Sequence, residues 1–370
     1  MKVKAAVARA KSAPLTIETL DLEEPRAGEI LVRLIAAGIC HTDLAMRDQV
    51  FPVPQPIVLG HEGAGIVERV GSDVTKVVTG DHVVMTYNSC GRCPSCLEHE
   101  PTYCHDFFSY NFAAQRPDGS TALSQDGKPI HSHFFGQSSF ATYALCLERN
   151  VVKVPHDAPL ELLGPLACGV QTGAGSVINA LRVGAGRSIA VFGTGSVGLS
   201  AIIAARLVGA AVIIGVDLND ARLALARELG ATHTVNAANE DAVAAITRIT
   251  GFGVNYTLET TAVPQVIRRA VESLAPRGAC GLIGASPVGA EMSLDILHLM
   301  TAGRQVRGIV EGDSKPEVFI PALINLYRQG RFPFDRMVKF YNLDNINDAI
   351  KDSEAGACIK PIIRMQATTQ

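Results

Sequence analysis

The stretch from Ser188 to Gly198 reads Ser-Ile-Ala-Val-Phe-Gly-Thr-Gly-Ser-Val-Gly, an apolar run that ends in a turn with three glycines. A helix-compatible run follows as far as Val208, and the next strand-like run ends at Asp217. A strand, a G-x-G-x-x-G turn, a helix and an acidic residue about 20 positions later together predict a dinucleotide-binding βαβ unit. The alternative, a glycine-rich core turn without a ligand, does not account for this context.

Each glycine of the turn has a separate predicted role. Gly193 permits the tight turn, Gly195 lets the backbone approach a pyrophosphate, and Gly198 lets the helix pack closely on the strand. Val197 lies within the same turn and belongs to the predicted cofactor-binding set. Asp217 would accept hydrogen bonds from both adenosine ribose hydroxyls and repel a 2′-phosphate, so we expect NAD rather than NADP.

Strand-like and helical patterns alternate on both sides of this turn. Six strand-like runs are present: Ile189–Phe192, Val212–Val216, Thr234–Val235, Tyr256–Glu259, Gly281–Ile283 and Val306–Ile309. Intervening segments such as Asp220–Leu229 and Pro264–Leu274 carry apolar residues at steps of three and four, as helices that cover a sheet do. This alternation predicts an α/β domain built on a doubly wound parallel sheet.

The chain before about position 155 has a different pattern. Short β-branched runs are separated by glycine and proline, which predicts an antiparallel β-rich domain with strands at Glu29–Ile35, Gly65–Val70, His82–Met85 and Ala141–Leu147. Beyond Gly312 the alternation stops, and a helix at Glu317–Gln329 and a strand at Ile359–Met365 are expected to return to this domain. The predicted division is therefore 1–170, 171–310 and 311–370.

Composition excludes several classes of protein. The 370 residues are 47% hydrophobic and 19% charged, with a formal net charge of −3, which indicates a folded protein rather than a disordered one. The absence of a Lys/Arg-rich block argues against a nucleic-acid partner. Arg9 and Lys11 interrupt the N-terminal apolar run, and glycines interrupt the uncharged run Ser188–Ala205, so we expect a cytoplasmic protein without a membrane partner.

Four of the nine cysteines fall in one short segment, at Cys90, Cys93, Cys96 and Cys104. Four thiolates close a tetrahedral shell around zinc, so this spacing predicts a structural zinc site. An iron–sulfur cluster needs the same four thiols, but it fits poorly beside a two-electron hydride cofactor. Spacing alone does not group the other candidates, because a cysteine in an apolar run is more often a buried small hydrophobe than a ligand. Cys146, Cys280 and Cys358 are predicted to be structural.

In motif order the chain resembles the medium-chain zinc alcohol dehydrogenases. The shared stretches are Gly38–Asp43, Gly60–Gly65, the four-cysteine segment, Cys168–Thr172, Gly193–Gly198 and Asp217. Within that family it is most similar to the bacterial aryl-alcohol (benzyl alcohol) and geraniol or perillyl alcohol dehydrogenases, through Phe134–Phe140, Glu161–Leu166 and Glu311–Ser314. The resemblance implies a GroES-like catalytic domain, a Rossmann domain, and a homodimer or homotetramer joined through the cofactor domain.

The resemblance also implies a second zinc site, for chemistry. Cys40, His61 and Cys168 would be its ligands, and two Cys with one His is the ligand set of the catalytic zinc in alcohol dehydrogenases, with the fourth position left open. Glu62 would be an acid beside the ligands that approaches the zinc during ligand exchange. Asp43 would bond the far nitrogen of His61 and fix its tautomer.

The remaining implied roles concern proton transfer and the cofactor. Thr42 resembles the hydroxyl that relays the alcohol proton through the ribose, and Ala45 occupies the position at which animal and plant members complete this relay with a histidine. His41 is predicted to be both a catalytic residue and a pyrophosphate contact. The resemblance implies that Thr172 contacts the nicotinamide and that Arg222 contacts the adenosine ribose. It implies that His41 and Lys360 contact the pyrophosphate.

These residues predict an NAD-linked alcohol dehydrogenase for primary alcohols whose carbinol carbon bears an aromatic ring or an alkene. Apolar candidates for the pocket wall are Met46, Phe51, Val53, Tyr87 and Phe140. One alternative is glutathione-dependent formaldehyde dehydrogenase, although Leu44–Pro56 lacks an obvious set of charges for a glutathione tail. The other is a non-catalytic zinc protein that senses NAD, against which the open zinc set and the relay hydroxyl both argue.

Overall fold

The computed structural model describes residues 1–365 and divides the chain into two compact units. The first unit comprises 1–168, 315–325 and the chain from Asp335 onward, and the second comprises 169–314 and 326–334. The return to the first unit thus begins at Lys315 rather than at 311, and it is interrupted by 326–334. The sequence does not show where this interruption begins, because the helix Pro316–Arg328 runs across residue 326.

The strands, in chain order, have the following bounds: β1 Lys2–Ala8, β2 Thr16–Leu22, β3 Glu29–Gly38, β4 Ile57–Val58, β5 Glu62–Val70, β6 His82–Met85, β7 Leu123–Gln125, β8 Lys128–Ile130, β9 Tyr143–Leu147, β10 Val151–Lys153, β11 Ser188–Phe192, β12 Val212–Asp217, β13 His233–Asn236, β14 Val254–Glu259, β15 Leu274–Leu282, β16 Gln305–Gly308, β17 Val338–Asn342 and β18 Lys360–Arg364.

The α-helices are α1 His41–Arg47, α2 Pro94–Leu97, α3 Phe107–Asn111, α4 Gly169–Gly175, α5 Ser196–Leu207, α6 Asp220–Leu229, α7 Ala242–Thr250, α8 Pro264–Glu272, α9 Ile296–Ala302, α10 Pro316–Arg328 and α11 Ile346–Glu354. Within residues 1–365 none of the helices is both long enough and apolar enough to span a bilayer.

The first unit is β-rich and mainly antiparallel, as predicted. One sheet has the strand order β4-β1-β2-β7-β8, and the other has the order β10-β6-β5-β3-β18-β17, with β9 also paired to β3. The C-terminal strand β18 lies antiparallel to β3, so residues from the two ends of the chain share one sheet. In that sheet Gly38 pairs with both Glu62 and Ile362, and this register brings three segments together around one point.

The second unit contains a six-stranded parallel sheet in the order β13-β12-β11-β14-β15-β16, with helices between the strands. All six predicted strands are present, which confirms the doubly wound α/β architecture. The predicted helix Asp220–Leu229 matches α6, because the Asn219 side chain caps its first turn and Gly230, at φ 136°, ends it. The helix predicted to reach Leu274 ends at Glu272, because β15 begins at Leu274.

Candidate metal and cofactor sites

The four-cysteine segment folds into a small lobe in which all four sulfur atoms lie within 4.8 Å of one another. Gly91, at φ 70°, makes the turn after Cys90; Cys93 is the N-cap residue of the four-residue helix α2, and Cys96 lies within that helix. Backbone N–H groups point at the sulfurs: the amide of Cys93 lies 3.3 Å from Cys90 Sγ, and the amide of Cys90 lies 3.2 Å from Cys104 Sγ. Such donors stabilise thiolates.

The thiols of this lobe are electrostatically unequal. The backbone amide of His105 lowers the pKa of Cys93 to about 6, whereas burial raises the pKa of Cys104 to about 12. A cation at the centre of the four sulfurs would hold all of them as thiolates. The set contains only sulfur ligands and provides four of them, so it fits a closed tetrahedral zinc and leaves no position for a substrate.

A second cluster lies buried in the first unit, where atoms of Cys40, His61, Glu62 and Cys168 all lie within 4.8 Å of one another. Cys40 is the N-cap residue of α1, His61 directly precedes β5, and Cys168 ends the first unit's N-terminal segment. The structure therefore brings together the three scattered residues that the family resemblance grouped.

Asp43 holds this cluster in place through three hydrogen bonds. Its carboxylate, only 1% exposed, accepts from His61 Nδ1 at 2.9 Å, from the Cys40 amide at 3.0 Å and from the Gly60 amide at 3.0 Å. Because a carboxylate can only accept, Nδ1 carries the proton and Nε2 presents its lone pair. Nε2 is buried and makes no hydrogen bond within the described residues. This orphaned nitrogen, beside two thiols, fits a zinc ligand.

The charges around the cluster favour a thiolate at Cys40. The pKa of Cys40 lies well below its ordinary value, chiefly because of its interaction with Cys168, and His61 and Lys360 lower it further against the opposing effect of burial. Lys360 is 1% exposed, and its ammonium donates to both Glu62 oxygens at 2.8 and 2.9 Å and to the Ile39 carbonyl at 3.1 Å.

The contact of Lys360 with a pyrophosphate, which the family resemblance implies, stays a prediction. What the structure adds is the pairing with Glu62, which arises from the register of β18 on β3. Gly38 makes the approach possible, since a Cβ at that position would lie 2.0 Å from Glu62 Oε2. Neither the ion pair nor this use of Gly38 was predicted from the sequence.

The predicted proton-transfer residues lie on α1. The Thr42 hydroxyl is half-buried and lies 3.7 Å from Cys40 Sγ, so it borders the cluster. His41, at the start of the helix, is exposed. Ala45 is buried and has no group that can take up a proton.

The predicted pocket-wall residues lie mostly in the hydrophobic core of the first unit. Four of them are buried there, and Phe51 packs against them half-buried; the four are Met46, Val53, Tyr87 and Phe140. The aromatic side chains that contact the cluster are instead Phe134, edge-on to His61 at 5.6 Å between ring centroids, and Phe135, stacked on it at 4.5 Å. The aromatic pair in the stretch Phe134–Phe140 was the available sequence signal.

The glycine-rich turn of the second unit has the geometry that its sequence predicted. Gly193 has φ 90°, a region that favours glycine, and a Cβ on Gly198 would lie 1.9 Å from the Gly193 carbonyl oxygen. A Cβ on Gly195 would meet no atom of the described chain within 4 Å, so the backbone at the N-terminus of α5 can be approached closely by a ligand. Val197 lies in the first turn of that helix. This cradle fits a pyrophosphate.

The predicted ribose contacts follow β12. Asp217 is half-buried, and its carboxylate accepts hydrogen bonds from the Thr194 amide at 2.7 Å and the Thr194 hydroxyl at 2.9 Å. Arg222 lies in the first turn of α6, and its Nε is buried without a hydrogen bond among residues 1–365. Thr172 lies on α4 and donates to the Glu311 carboxylate at 3.2 Å.

Both parts of the chain match known protein families. Residues 26–156 match the alcohol dehydrogenase GroES-like domain, and residues 196–327 match the zinc-binding dehydrogenase family. The chain is 47% identical to the geraniol dehydrogenase of Castellaniella defragrans over 98% of both chains. It is 48% identical to the benzyl alcohol dehydrogenase of Acinetobacter calcoaceticus, whose crystal structure it matches with a TM-score of 0.96 over 99% of this chain and 100% of that one.

Identity to the S-(hydroxymethyl)glutathione dehydrogenase of Paracoccus denitrificans is lower, at 37% over 98% of this chain and all of that one. The chain belongs to the medium-chain, zinc-dependent alcohol dehydrogenase family. It is an oxidoreductase with a GroES-like domain and a nucleotide-binding domain, as the sequence predicted.

Proposed function

We propose that the chain is an NAD-dependent alcohol dehydrogenase with two zincs that oxidises aromatic or allylic primary alcohols reversibly to aldehydes. The observation that carries the proposal is the cluster of Cys40, His61 and Cys168, in which Asp43 fixes the His61 tautomer and Nε2 has no hydrogen-bond partner among residues 1–365. Three ligands leave a fourth position for a substrate oxygen, whereas the lobe at Cys90–Cys104 leaves none.

Zinc at this cluster would lower the pKa of an alcohol hydroxyl, and the nicotinamide would take up the hydride. The chain's own residues supply orientation and proton transfer. Asp43 holds His61 in one orientation, and the Glu62–Lys360 pair keeps a carboxylate beside the ligands without leaving an uncompensated buried charge. The Thr42 hydroxyl, 3.7 Å from Cys40 Sγ, would pass on the alcohol proton.

The substrate class is supported by the geraniol and benzyl alcohol dehydrogenases that the chain resembles, and by the aromatic rings of Phe134 and Phe135 beside His61. Each CH₂ of a larger apolar group is worth about 0.8 kcal/mol on burial. We expect kcat/KM for benzyl alcohol or geraniol to exceed that for ethanol by at least about a hundredfold. Best turnover of ethanol or of a secondary alcohol would contradict this substrate class.

The same assay separates the two alternatives. A glutathione-dependent formaldehyde dehydrogenase would form NADH fastest from formaldehyde with glutathione. The candidate charge in Leu44–Pro56 is Arg47, which is already bonded to Asp48 and Glu354, and this argues against a glutathione site there. A non-catalytic sensor would bind NAD and form no NADH with any of these substrates.

NAD is proposed as the cofactor because of the Asp217 carboxylate at the end of β12. Replacing Asp217→Gly removes a ribose acceptor and a charge that repels the 2′-phosphate. The ratio of kcat/KM with NAD to that with NADP is therefore expected to fall by about tenfold or more. Equal efficiency with both cofactors in the unaltered enzyme would rule out the role given to Asp217.

A homo-oligomer, as a dimer or tetramer, is proposed to form through the second unit. The strand β16 is at the edge of the parallel sheet, and α9 exposes Ile296, Leu297 and Met300 by 80%, 62% and 68%. An open strand edge beside apolar side chains favours pairing with a second copy. In sedimentation the chain should run as an oligomer, and Leu297→Asp should shift it toward monomer. A monomeric wild type at micromolar concentration would contradict the proposal.

A cytoplasmic location is proposed from the cysteine chemistry. None of the nine cysteines forms a disulfide within residues 1–365, and six of them belong to the two ligand sets. Thiolate ligands persist in a reducing compartment. Cell fractionation with a cytoplasmic marker enzyme tests this location.

A further inference from the structure

A buried carboxylate in the second unit accepts a hydrogen bond from Thr172, the residue that the family resemblance implies as a nicotinamide contact. Glu311 is 8% exposed, and its Oε2 accepts hydrogen bonds from the Thr172 hydroxyl at 3.2 Å and from Gln171 Nε2 at 3.3 Å. A buried carboxylate is costly to maintain, so its retention in a site calls for a reason beyond packing.

The loop that carries Glu311 packs tightly on α4. Residues 311, 312 and 313 have φ values of 49°, 67° and 50°, a left-handed path that is unusual for Glu and Asp. A Cβ on Gly312 would lie 2.6 Å from the Gln171 carbonyl oxygen and 2.8 Å from the Thr172 carbonyl oxygen. The strained loop thus fixes the Glu311 carboxylate against the first turns of α4.

This contact lies beside the nucleotide-binding turn. Gly173, next to Thr172, approaches α5 so closely that a Cβ there would lie 2.0 Å from the Val197 carbonyl oxygen. Glu311 itself follows the carboxyl end of β16, and ligands of doubly wound sheets bind outside the carboxyl ends of the strands. Topology and packing therefore place this carboxylate at the ligand edge of the sheet.

We propose that Glu311 is a positioning residue that holds the Thr172 hydroxyl and favours the oxidised cofactor over the reduced one, an inference that rests on the proposed NAD-dependent function. The nicotinamide ring carries a positive charge in NAD⁺ and none in NADH. A fixed negative charge in a site screened from water stabilises the cationic ring and leaves the neutral ring unaffected.

The test is the ratio of the dissociation constants of NAD⁺ and NADH for the zinc-loaded enzyme, measured by calorimetry without substrate. Glu311→Gln keeps the shape and a hydrogen-bond acceptor but removes the charge. NAD⁺ binding is expected to weaken about tenfold relative to NADH. Glu311→Asp, which keeps the charge, is expected to retain most of the preference.

Asp313→Asn is the matched control, because it removes a charge from the same loop but from a side chain bonded to Arg307. Its ratio should stay within about twofold of the wild type. Equal changes for NAD⁺ and NADH in Glu311→Gln, or no change, would overturn the proposal and indicate a structural role. If a thermal melt shows that Glu311→Gln is unfolded, the ratio of the NAD⁺ and NADH dissociation constants is measured for Glu311→Ala instead, with the same expected result. A wild type that binds neither NAD⁺ nor NADH refutes the proposed function itself.

Discussion

The two thiol clusters of the first unit use similar ligands but are built differently. The lobe draws Cys90, Cys93, Cys96 and Cys104 from one short segment with a four-residue helix, and backbone amides supply its local contacts. The buried cluster draws its ligands from three distant segments and is held by Asp43, Lys360 and the sheet register. A metal is therefore expected to contribute more to the stability of the lobe than to that of the buried cluster, which the sheets hold in place.

The largest effect is expected at the buried cluster. Replacing Cys168→Ser removes one of the three ligands but leaves the sheets intact, so turnover should fall by at least about a thousandfold. The protein should stay folded and contain one zinc per chain by elemental analysis, against two in the wild type.

Cys146→Ala is the matched control for Cys168→Ser, since Cys146 is a buried thiol outside both clusters. It should keep both zincs and its activity. A Cys168→Ser variant with normal turnover, or a wild type with one zinc, would contradict the assignment of an open catalytic site.

The same difference explains what the sequence could predict. The spacing of four cysteines was sufficient to predict the lobe, and the alternation of strand-like and helical runs was sufficient to predict the parallel sheet. Both features depend on residues that are near one another in the chain. Cys40, His61 and Cys168 come together through strand pairing, which no local pattern encodes, so only family resemblance grouped them. The Glu62–Lys360 pair depends on the register of β18 against β3, and no local pattern in the chain predicts that register.

The second largest effect is expected on stability, at the lobe. Replacing Cys93→Ser opens the closed thiolate shell, and zinc-binding energy there is folding energy, so the free energy of unfolding should fall by about 3 kcal/mol. Denaturant unfolding measures this loss. At temperatures where the variant remains folded, kcat should stay within about threefold of the wild type.

Ser95→Ala, between the same two cysteines, is the control for Cys93→Ser and should change stability by less than about 0.5 kcal/mol. The distinction between the clusters fails if Cys93→Ser loses activity at full stability. It fails equally if Cys168→Ser proves the less stable of the two cysteine variants.

A third prediction tests whether ion pairing also stabilises the surroundings of the lobe. Glu29 accepts two hydrogen bonds from the buried Arg116 guanidinium, at 2.6 and 3.1 Å. Burial opposes ionisation of Glu29, but His133, Arg116 and the Arg26 amide outweigh it and lower its pKa to about 2. A folded pKa below the unfolded value of 4.5 stabilises the fold above about pH 4.5, and this stability is lost as pH falls toward 2.

Glu29→Gln should therefore lower the free energy of unfolding at pH 7 by about 3 kcal/mol, and the gap from wild type should narrow as pH falls below about 4.5. Acid releases zinc from the wild type and from Glu29→Gln alike. The difference between their free energies of unfolding therefore does not contain that common effect. Glu24→Gln, which removes an exposed partner of Arg69, should cost less than about 1 kcal/mol. A gap that does not depend on pH would contradict the ion-pair explanation.

The smallest effect concerns the aromatic support of the buried cluster. Phe135 stacks on His61 at 4.5 Å from a left-handed backbone, φ 52°, so its ring restrains the imidazole that Asp43 orients from the other side. An aromatic contact of this kind is worth about 1 kcal/mol, so Phe135→Leu should speed zinc release from the buried cluster about fivefold. Release of zinc into a chromophoric chelator is expected in two kinetic phases, one for each zinc, and the phase that remains in Cys168→Ser belongs to the lobe.

The control is Phe112→Leu, which removes a ring that packs on Phe135 rather than on His61. It should leave the rates of both phases within about twofold of the wild type. If Phe135→Leu accelerates the lobe phase as much as the other, the two clusters do not have the separate supports that distinguish them.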